Sequence, residues 1–382
     1  MRQIYLDNAA TTPLRKEVLE AMLPYFRERY GNPNSLHALG RQAYEAIEES
    51  RARLACLVGA NPSEVVFTSG GTESNNLALK GIALLNRKMG THIITTRIEH
   101  SSVINPLKWL EIQGFEVTYL PVDEYGAVSP EQVRQAIRKD TILVTVGHAN
   151  NEIGTVQDIA GIAKAAKEKN VPFHTDACQS FTKEEIDLKK MDLDMVSINA
   201  HKINGPKGVG ALIVKRGIRL TPTQHGGQQE SKMRGGTENV AGIVGFAKAA
   251  DIATPQDVQR MRVLRDRLIS GVIGGIGSVR LNGHPTRRLA NNANFTFKAI
   301  EGESLLLRLD AKGIYCSTGS ACSSQSLEPS HVITAIGLPA EESHGSLRMT
   351  VGHETKEEDI DYAVEVLKQE VEGLRRISPL KR

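Results

Sequence analysis

The chain has 382 residues, more than one hydrophobic core usually supports, so two domains are expected. Its 47 basic and 44 acidic residues leave a net charge of +3, with no Lys/Arg-rich run and only 4% aromatic residues to stack on bases, which argues against a nucleic-acid partner. No span approaches the length needed to cross a bilayer, so no membrane partner is expected either.

The chain enters Ile4-Tyr5-Leu6-Asp7 without a basic and then apolar leader, and the expectation is a soluble, cytoplasmic protein. Four cysteines, Cys56, Cys178, Cys316 and Cys322, form no Cys-x-x-Cys pair and have no histidine at zinc-ligand spacing. Neither a disulfide framework nor a structural metal is expected.

From about residue 40 to 250, apolar β-rich runs alternate with helical patterns, the signature of parallel βαβ units. In chain order, strands are predicted over residues 64–68, 92–95, 116–120, 142–146, 172–175, 195–198 and 210–214. Helices fill most gaps. One is predicted over 73–84; another, over 158–169, carries Ile159, Ile162, Ala163 and Ala166 on one face with lysines opposite, and Asn170 and Pro172 end it. Thr254-Pro255 reads as a boundary. Beyond it follow a charged helix over 256–268, strands near 279–281 and 293–297, and a last helix over 357–374. Its repeat of Ile360, Val364, Leu367, Val371 and Leu374 is amphipathic, and core packing explains it.

Asp176 and Lys202 each close a predicted buried strand, which places a carboxylate and an amine side by side at one edge of the sheet. Pyridoxal phosphate calls for such a pair: a lysine to bond with, and an acid opposite the ring nitrogen to keep the ring electron-withdrawing. A buried ion pair satisfies the same pattern. Ser69-Gly70-Gly71-Thr72, between a strand and a helix, outlines an anion site at a helix N-terminus without the spacing of a P-loop. The alternative is a tight turn capped by Ser69 or Thr72. His100 falls where a loop returns to the sheet edge, a place for an imidazole to stack on a ring and pass protons, or simply to form structural hydrogen bonds. His201, beside Lys202, has the same two readings.

Lys207, in Gly205-Pro206-Lys207-Gly208, competes with Lys202, but position favours Lys202 as the residue ending a strand. The most unusual segment is Ser317-Thr318-Gly319-Ser320-Ala321-Cys322-Ser323-Ser324, one thiol among small residues. Such a stretch is expected to be exposed and mobile, suited to carrying a thiol to a buried substrate, or else to be a surface linker with an incidental cysteine.

Six motifs in order then carry a resemblance: Tyr5-Leu6-Asp7-Asn8-Ala9-Ala10-Thr11-Thr12-Pro13, Phe67-Thr68-Ser69-Gly70-Gly71-Thr72-Glu73-Ser74, Asn150-Asn151-Glu152-Ile153-Gly154, His201-Lys202, Arg234-Gly235-Gly236-Thr237-Glu238-Asn239 and Ser320-Ala321-Cys322-Ser323-Ser324. With them the chain resembles the cysteine desulfurases, class V aminotransferase-like enzymes of pyridoxal phosphate fold type I, and within these the group that feeds iron-sulfur assembly. The resemblance implies an α/β transferase with a large cofactor-binding domain over 15–254, its mainly parallel seven-stranded sheet flanked by helices. A smaller α+β domain would comprise 1–14 and 255–382 and carry the cysteine loop. It further implies pyridoxal 5'-phosphate as cofactor, L-cysteine as substrate, a homodimer, and an iron-sulfur scaffold protein as sulfur acceptor.

By the same resemblance, Lys202 holds the cofactor covalently, Asp176 pairs with its ring nitrogen, His100 stacks on the ring and shuttles protons, and Gln179 bonds the ring hydroxyl. Gly71, Thr72, Asn199, His201 and, across a dimer interface, Thr237 surround the phosphate. Asn151 and Arg348 fix the substrate carboxylate, and Cys322 is the nucleophile that becomes a persulfide, and an iron-sulfur ligand in complex with the scaffold. Asn199 and Gly235 stand where many members have serine, and Cys178 is an extra thiol expected to be structural. The competing readings are a selenocysteine lyase that does not need Cys322, and a catalytically idle scaffold subunit.

Overall fold

A computed structural model describes residues 2–318 and 329–379, so Cys322 lies outside the described residues. Strand β1 (Ile4–Tyr5) and helices α1 (Lys16–Met22), α2 (Pro24–Arg27) and α3 (Ala38–Leu57) lead into β2 (Val65–Thr68). There follow α4 (Gly71–Asn86), β3 (His92–Thr96), α5 (Ser101–Ile112), β4 (Glu116–Leu120), α6 (Pro130–Ala136), β5 (Thr141–Thr145), α7 (Ile159–Lys167), β6 (Phe173–Asp176), β7 (Met195–Asn199) and β8 (Gly210–Val214). Strands β2 to β8 form one seven-stranded sheet in the order β2-β8-β7-β6-β5-β3-β4. Strands β3, β5 and β7 are buried along their whole length, as strands covered by helices on both faces must be, which is why they read as near-continuous apolar runs.

All neighbours in this sheet are parallel except β8, which runs antiparallel to both β2 and β7. Only the turn 200–209 joins β7 to β8, too short for the crossover that a parallel partner requires. One apolar layer, with Ile47 and Leu54 of α3, Ile162 of α7 and Phe246, packs on one face; Leu77 of α4 and Leu107 of α5 pack in the layer on the other. From β3 the chain moves outward to β4 and then returns past β3 to β5, so the direction of winding reverses between β3 and β5. The loops leaving these two strands therefore diverge and open a crevice at the carboxyl edge.

The rest comprises α8 (Val240–Asp251), α9 (Pro255–Gly275), β9 (Val279–Leu281), β10 (Asn292–Phe297), α10 (Gly302–Ala311), β11 (Ile314–Tyr315), α11 (His331–Ala335), α12 (Ala340–Ser343), β12 (Ser346–Thr350) and α13 (Glu357–Ile377). Strands β9, β10 and β12 form an antiparallel sheet, and β1 pairs in parallel with β11. Their own core joins Ile4 and Leu6 to Leu268, Phe295, Leu347, Ile360 and Leu367. Thr254 caps α9 by accepting the Asp257 N–H, with Pro255 in the first turn. Among the described residues, no helix is long and apolar enough to cross a membrane.

Several predicted elements shift. Lys202 does not end a strand: β7 stops at Asn199 and the lysine stands in the turn beyond. Glu64 precedes β2 in a short 3-10 turn, because its carboxylate takes the N–H groups of Asn61 and Arg216, each at 2.7 Å. Helices α9 and α13 run longer than their apolar repeats, to Gly275 and Ile377.

One buried ion pair braces the edge of the large sheet. Glu230 accepts two N–H groups from Arg51, at 2.7 and 2.8 Å, and the Phe67 N–H at 2.8 Å. The two side chains are only 12% and 3% exposed, so removing either partner strands the other's charge. Glu230→Ala should lower the unfolding free energy by about 3–5 kcal/mol in chemical denaturation. A loss below about 1 kcal/mol would mean that water readily replaces the carboxylate.

Candidate active site

The crevice at the carboxyl edge deepens into a cavity of about 650 Å³. Its walls come from the ends of β3, β5, β6 and β7, the start of α4, the segment after β1, and β12. Of the residues singled out in the sequence, it brings together Gly71, Thr72, His100, Asn151, Asp176, Gln179, Asn199, His201, Lys202 and Arg348. Thr237 is exposed and does not line this cavity. Lys207 is exposed as well and reaches only an adjoining hollow, whereas Lys202 is half-buried in the cavity wall.

Asp176 closes β6, one strand over from β7, which leads to Lys202. One carboxylate oxygen accepts the Cys178 N–H at 2.9 Å, and the other accepts the Asn75 amide at 2.7 Å. Burial alone would raise its pKa, but positive charge on His100, when it is protonated, and the hydrogen bonds from the Cys178 N–H and the Asn75 amide, which persist with a neutral ring, hold it below the usual carboxylate range. Asp176 therefore stays charged. Asn75 also donates to Ser102 Oγ at 2.8 Å, and that hydroxyl meets His100 Nδ1 at 2.8 Å, so a polar relay runs from Asp176 to His100. His100 caps α5, where its Nδ1 accepts the Ser102 N–H, leaving the ring proton on Nε2. Burial, then the charge of Lys202, lowers its pKa and favours the neutral ring.

Two turns carry the remaining polar groups. Gln179 donates to the Ala9 carbonyl at 3.0 Å. Lys183, unnoticed in the sequence, donates to the carbonyls of Gln179 at 3.2 Å and Lys202 at 3.1 Å, tying the turns after β6 and β7 together. Burial and the neighbouring Lys202 push its amine down to about 8. His201 Nδ1 meets Thr11 Oγ1 at 3.2 Å, and burial and the lysines around it lower the ring to about 4.

The alternative reading, a turn capped by Ser69 or Thr72, is not met among the described residues. Gly70 occupies the N-cap of α4 at φ 151° and supplies no side-chain cap, and the Ser69 N–H goes to Glu73 at 2.8 Å. The helix thus begins open, beside a hollow of about 410 Å³ lined by Thr11, Gly71, Thr72 and His201. A Cβ at Gly71 would lie 2.4 Å from Cys178 Sγ, so glycine is a steric necessity here. Burial, then Asp176, raises the Cys178 thiol well above its ordinary pKa, and Cys178 remains a neutral packing group.

On the opposite wall Arg348 of β12 is 2% exposed. It donates to Asp7 at 2.8 Å and to the Asn151 carbonyl at 3.0 Å, while its Nε has no partner among the described residues. Asp7 was quoted within a motif but given no role. Two buried carboxyls of the same cavity, Glu99 and Glu152, were also missed; burial pushes each up to about 7. Their one sequence signal is adjacency to His100 and Asn151.

These residues fit pyridoxal phosphate. The open N-terminus of α4 and the buried Asn199 Oδ1, which has no partner among the described residues, are polar groups free for a polar ligand, and the amine of Lys202 and the charged Asp176 share one cavity with them. Fold and cavity together define a pyridoxal phosphate enzyme of fold type I. The family model described as aminotransferase class-V matches residues 4–363. The cysteine desulfurase IscS of Methanosarcina thermophila is 55% identical over 382 residues, covering 99% of this chain and 94% of that protein. A solved NifS-like protein superposes with a TM-score of 0.92 at 37% identity, covering 97% of this chain and 100% of its own. A structure described as SspA in complex with cysteine gives 0.84 at 40% identity, covering 92% and 99%. The chain belongs to the class-V aminotransferase family, among its cysteine desulfurases.

Proposed function

We propose that this chain is a pyridoxal phosphate-dependent cysteine desulfurase that converts L-cysteine to L-alanine and passes the sulfur on as a persulfide of Cys322, for iron-sulfur assembly. The observation that carries this reading is the meeting of Lys202, a charged Asp176 and Arg348 in one cavity. Bound there, the cofactor would supply an electron sink for the substrate α-carbon. Lys202 holds the cofactor covalently, and Asp176 keeps its ring nitrogen protonated. Gln179 meets the ring hydroxyl; Gly71, Thr72, Asn199 and His201 hold the phosphate.

His100, neutral and fixed by Ser102, covers the ring and carries protons near neutral pH. Arg348 and Asn151 anchor the substrate carboxylate. The Cys322 thiolate attacks the substrate sulfur: a sulfur-sulfur bond forms, the carbon-sulfur bond breaks, and the carbon takes up a proton as alanine leaves. The domain division at 15–254 against 1–14 and 255–382 agrees with the separate core shared by Ile4, Leu6 and residues beyond 260. The exposed Thr237 serves a partner copy in a cytoplasmic homodimer, and an iron-sulfur scaffold protein receives the sulfur.

Mass spectrometry after brief exposure to L-cysteine tests the reading. One added sulfur atom on Cys322 is expected, and none on Cys178; sulfur mapped elsewhere, or alanine formed without it, overturns it. The contact at Gly71 gives a second test. Gly71→Ala should weaken cofactor binding about tenfold, the effect of roughly 1.4 kcal/mol of overpacking, and Cys178→Ala in the same chain should restore it. Failure of the rescue would show that backbone conformation, rather than the thiol, dictates glycine.

A further inference from the structure

Glu152 stands in the loop after β5, next to Asn151, and is 4% exposed at the cavity wall. Its main chain is held on both sides. The N–H goes to Asn150 Oδ1 at 2.9 Å, and the carbonyl accepts the side-chain amides of Asn292 at 3.2 Å and Asn294 at 3.1 Å from β10. Its carboxyl Oε2 accepts the hydroxyl of Ser330 at 2.6 Å. The direction of that bond is fixed, because Ser330 Oγ already accepts the N–H groups of Val332 and Ile333 as the cap of α11, and its own hydrogen is left for Glu152. A hydroxyl bonded to a buried carboxyl at this distance is among the stronger hydrogen bonds a protein makes. Beneath it, Val332 and Ile333 pack against Ile98 and Ile153 of the two loops that open the crevice.

Ser330 stands just beyond the stretch 319–328 that contains Cys322, and the residues before that stretch are held at the same wall. Ser317 and Arg348 exchange both backbone hydrogen bonds, at 3.2 and 2.7 Å. The chain on either side of the thiol-bearing stretch is thus attached to Arg348 at one end and to Glu152, neighbour of Asn151, at the other. These are the elements that anchor the substrate.

We propose that the Glu152–Ser330 hydrogen bond is a positioning device for sulfur transfer, with Glu152 a positioning residue that fixes the far attachment of the Cys322 stretch to the substrate wall. The inference rests on the desulfurase reading. Cys322 stands eight positions before Ser330 (330 − 322), so a bond that holds Ser330 at the substrate wall bounds how far the thiol can lie from it, and losing that bond relaxes the bound and lowers the thiol's effective concentration. The bond therefore acts on the transfer of sulfur to Cys322 and leaves the binding of L-cysteine to the cofactor site alone.

The test uses the cofactor-loaded enzyme and one equivalent of L-cysteine, with rapid quenching and mass spectrometry of the Cys322 persulfide, alongside the cysteine-induced change in cofactor absorbance. Ser330→Ala should slow persulfide formation about tenfold, corresponding to roughly 1.4 kcal/mol, with the absorbance change at wild-type rate. Ser330→Thr, which keeps the hydroxyl, and Glu152→Gln, which keeps an acceptor, should each recover most of the rate. Glu152→Ala should match Ser330→Ala, and the double variant should be no slower than either. Wild-type persulfide formation in Ser330→Ala, multiplying losses in the double variant, or an equal loss in the absorbance change would overturn the proposal. A wild-type chain that gains no sulfur on Cys322 would instead overturn the desulfurase reading itself.

Discussion

Replacing Lys202 by alanine should lower cysteine turnover by at least about a thousandfold, the order of loss expected when the residue that bonds covalently in the reaction is removed. The amine supplies the covalent hold on the cofactor in the proposed reaction, while proton carriage falls to His100. Lys183 is nearby, yet its amine is already committed to two backbone carbonyls. Lys207 is exposed in the neighbouring hollow. Borohydride reduction and peptide mapping should find the cofactor on Lys202 in the wild type and on no lysine in Lys202→Ala. Labelled Lys207, or a Lys202→Ala variant that still turns over, would remove the central assignment.

Arg348→Ala carries the second-largest expected effect. Its guanidinium is buried, holds Asp7 and the Asn151 carbonyl, and keeps Nε without a partner among the described residues, in the wall where a substrate carboxylate would bind. Truncation removes the anchor and leaves Asp7 without its cation. KM for cysteine should rise about 100-fold, corresponding to roughly 3 kcal/mol. Arg348→Lys should recover only part of this, since an ammonium keeps the charge but lacks the planar fork. Asp7→Asn separates the contributions: it disturbs the arginine's hold while sparing the substrate contact, so a KM change as large as that of Arg348→Ala would assign the effect to the scaffold instead.

Much of the sheet was legible because strands buried on both faces must be apolar throughout, and β4 and β8 match their predicted ranges. The direction of β8 was not legible, being set by the short turn 200–209 rather than by any apolar pattern. Lys202 was legible as a site residue but misplaced as a strand end, since the small, buried Ala200 prolongs the apolar run past the last ladder bond. The relay through Asn75 and Ser102 depends on how α4 meets α5, and neither residue differs in type from an ordinary helix cap or surface amide. The alternative of a cap by Ser69 or Thr72 is not met because the N-cap of α4 falls on Gly70, which has no side chain, a boundary that propensity alone cannot place. Asp7 and Arg348 lie 341 positions apart, and only the tertiary fold makes them neighbours.

That separation bears on how the protein is made. Strand β1 has its parallel partner in β11, and Asp7 has its cation on β12, so neither pairs until those later strands are synthesised. The bonds that Gln179 and His201 make to Ala9 and Thr11 can form sooner. The large sheet can form in the meantime, since β2 to β8 are all synthesised by residue 214. Completion of the substrate wall therefore waits for β12, and a ribosome stalled before Arg348 would carry a folded sheet but no working desulfurase.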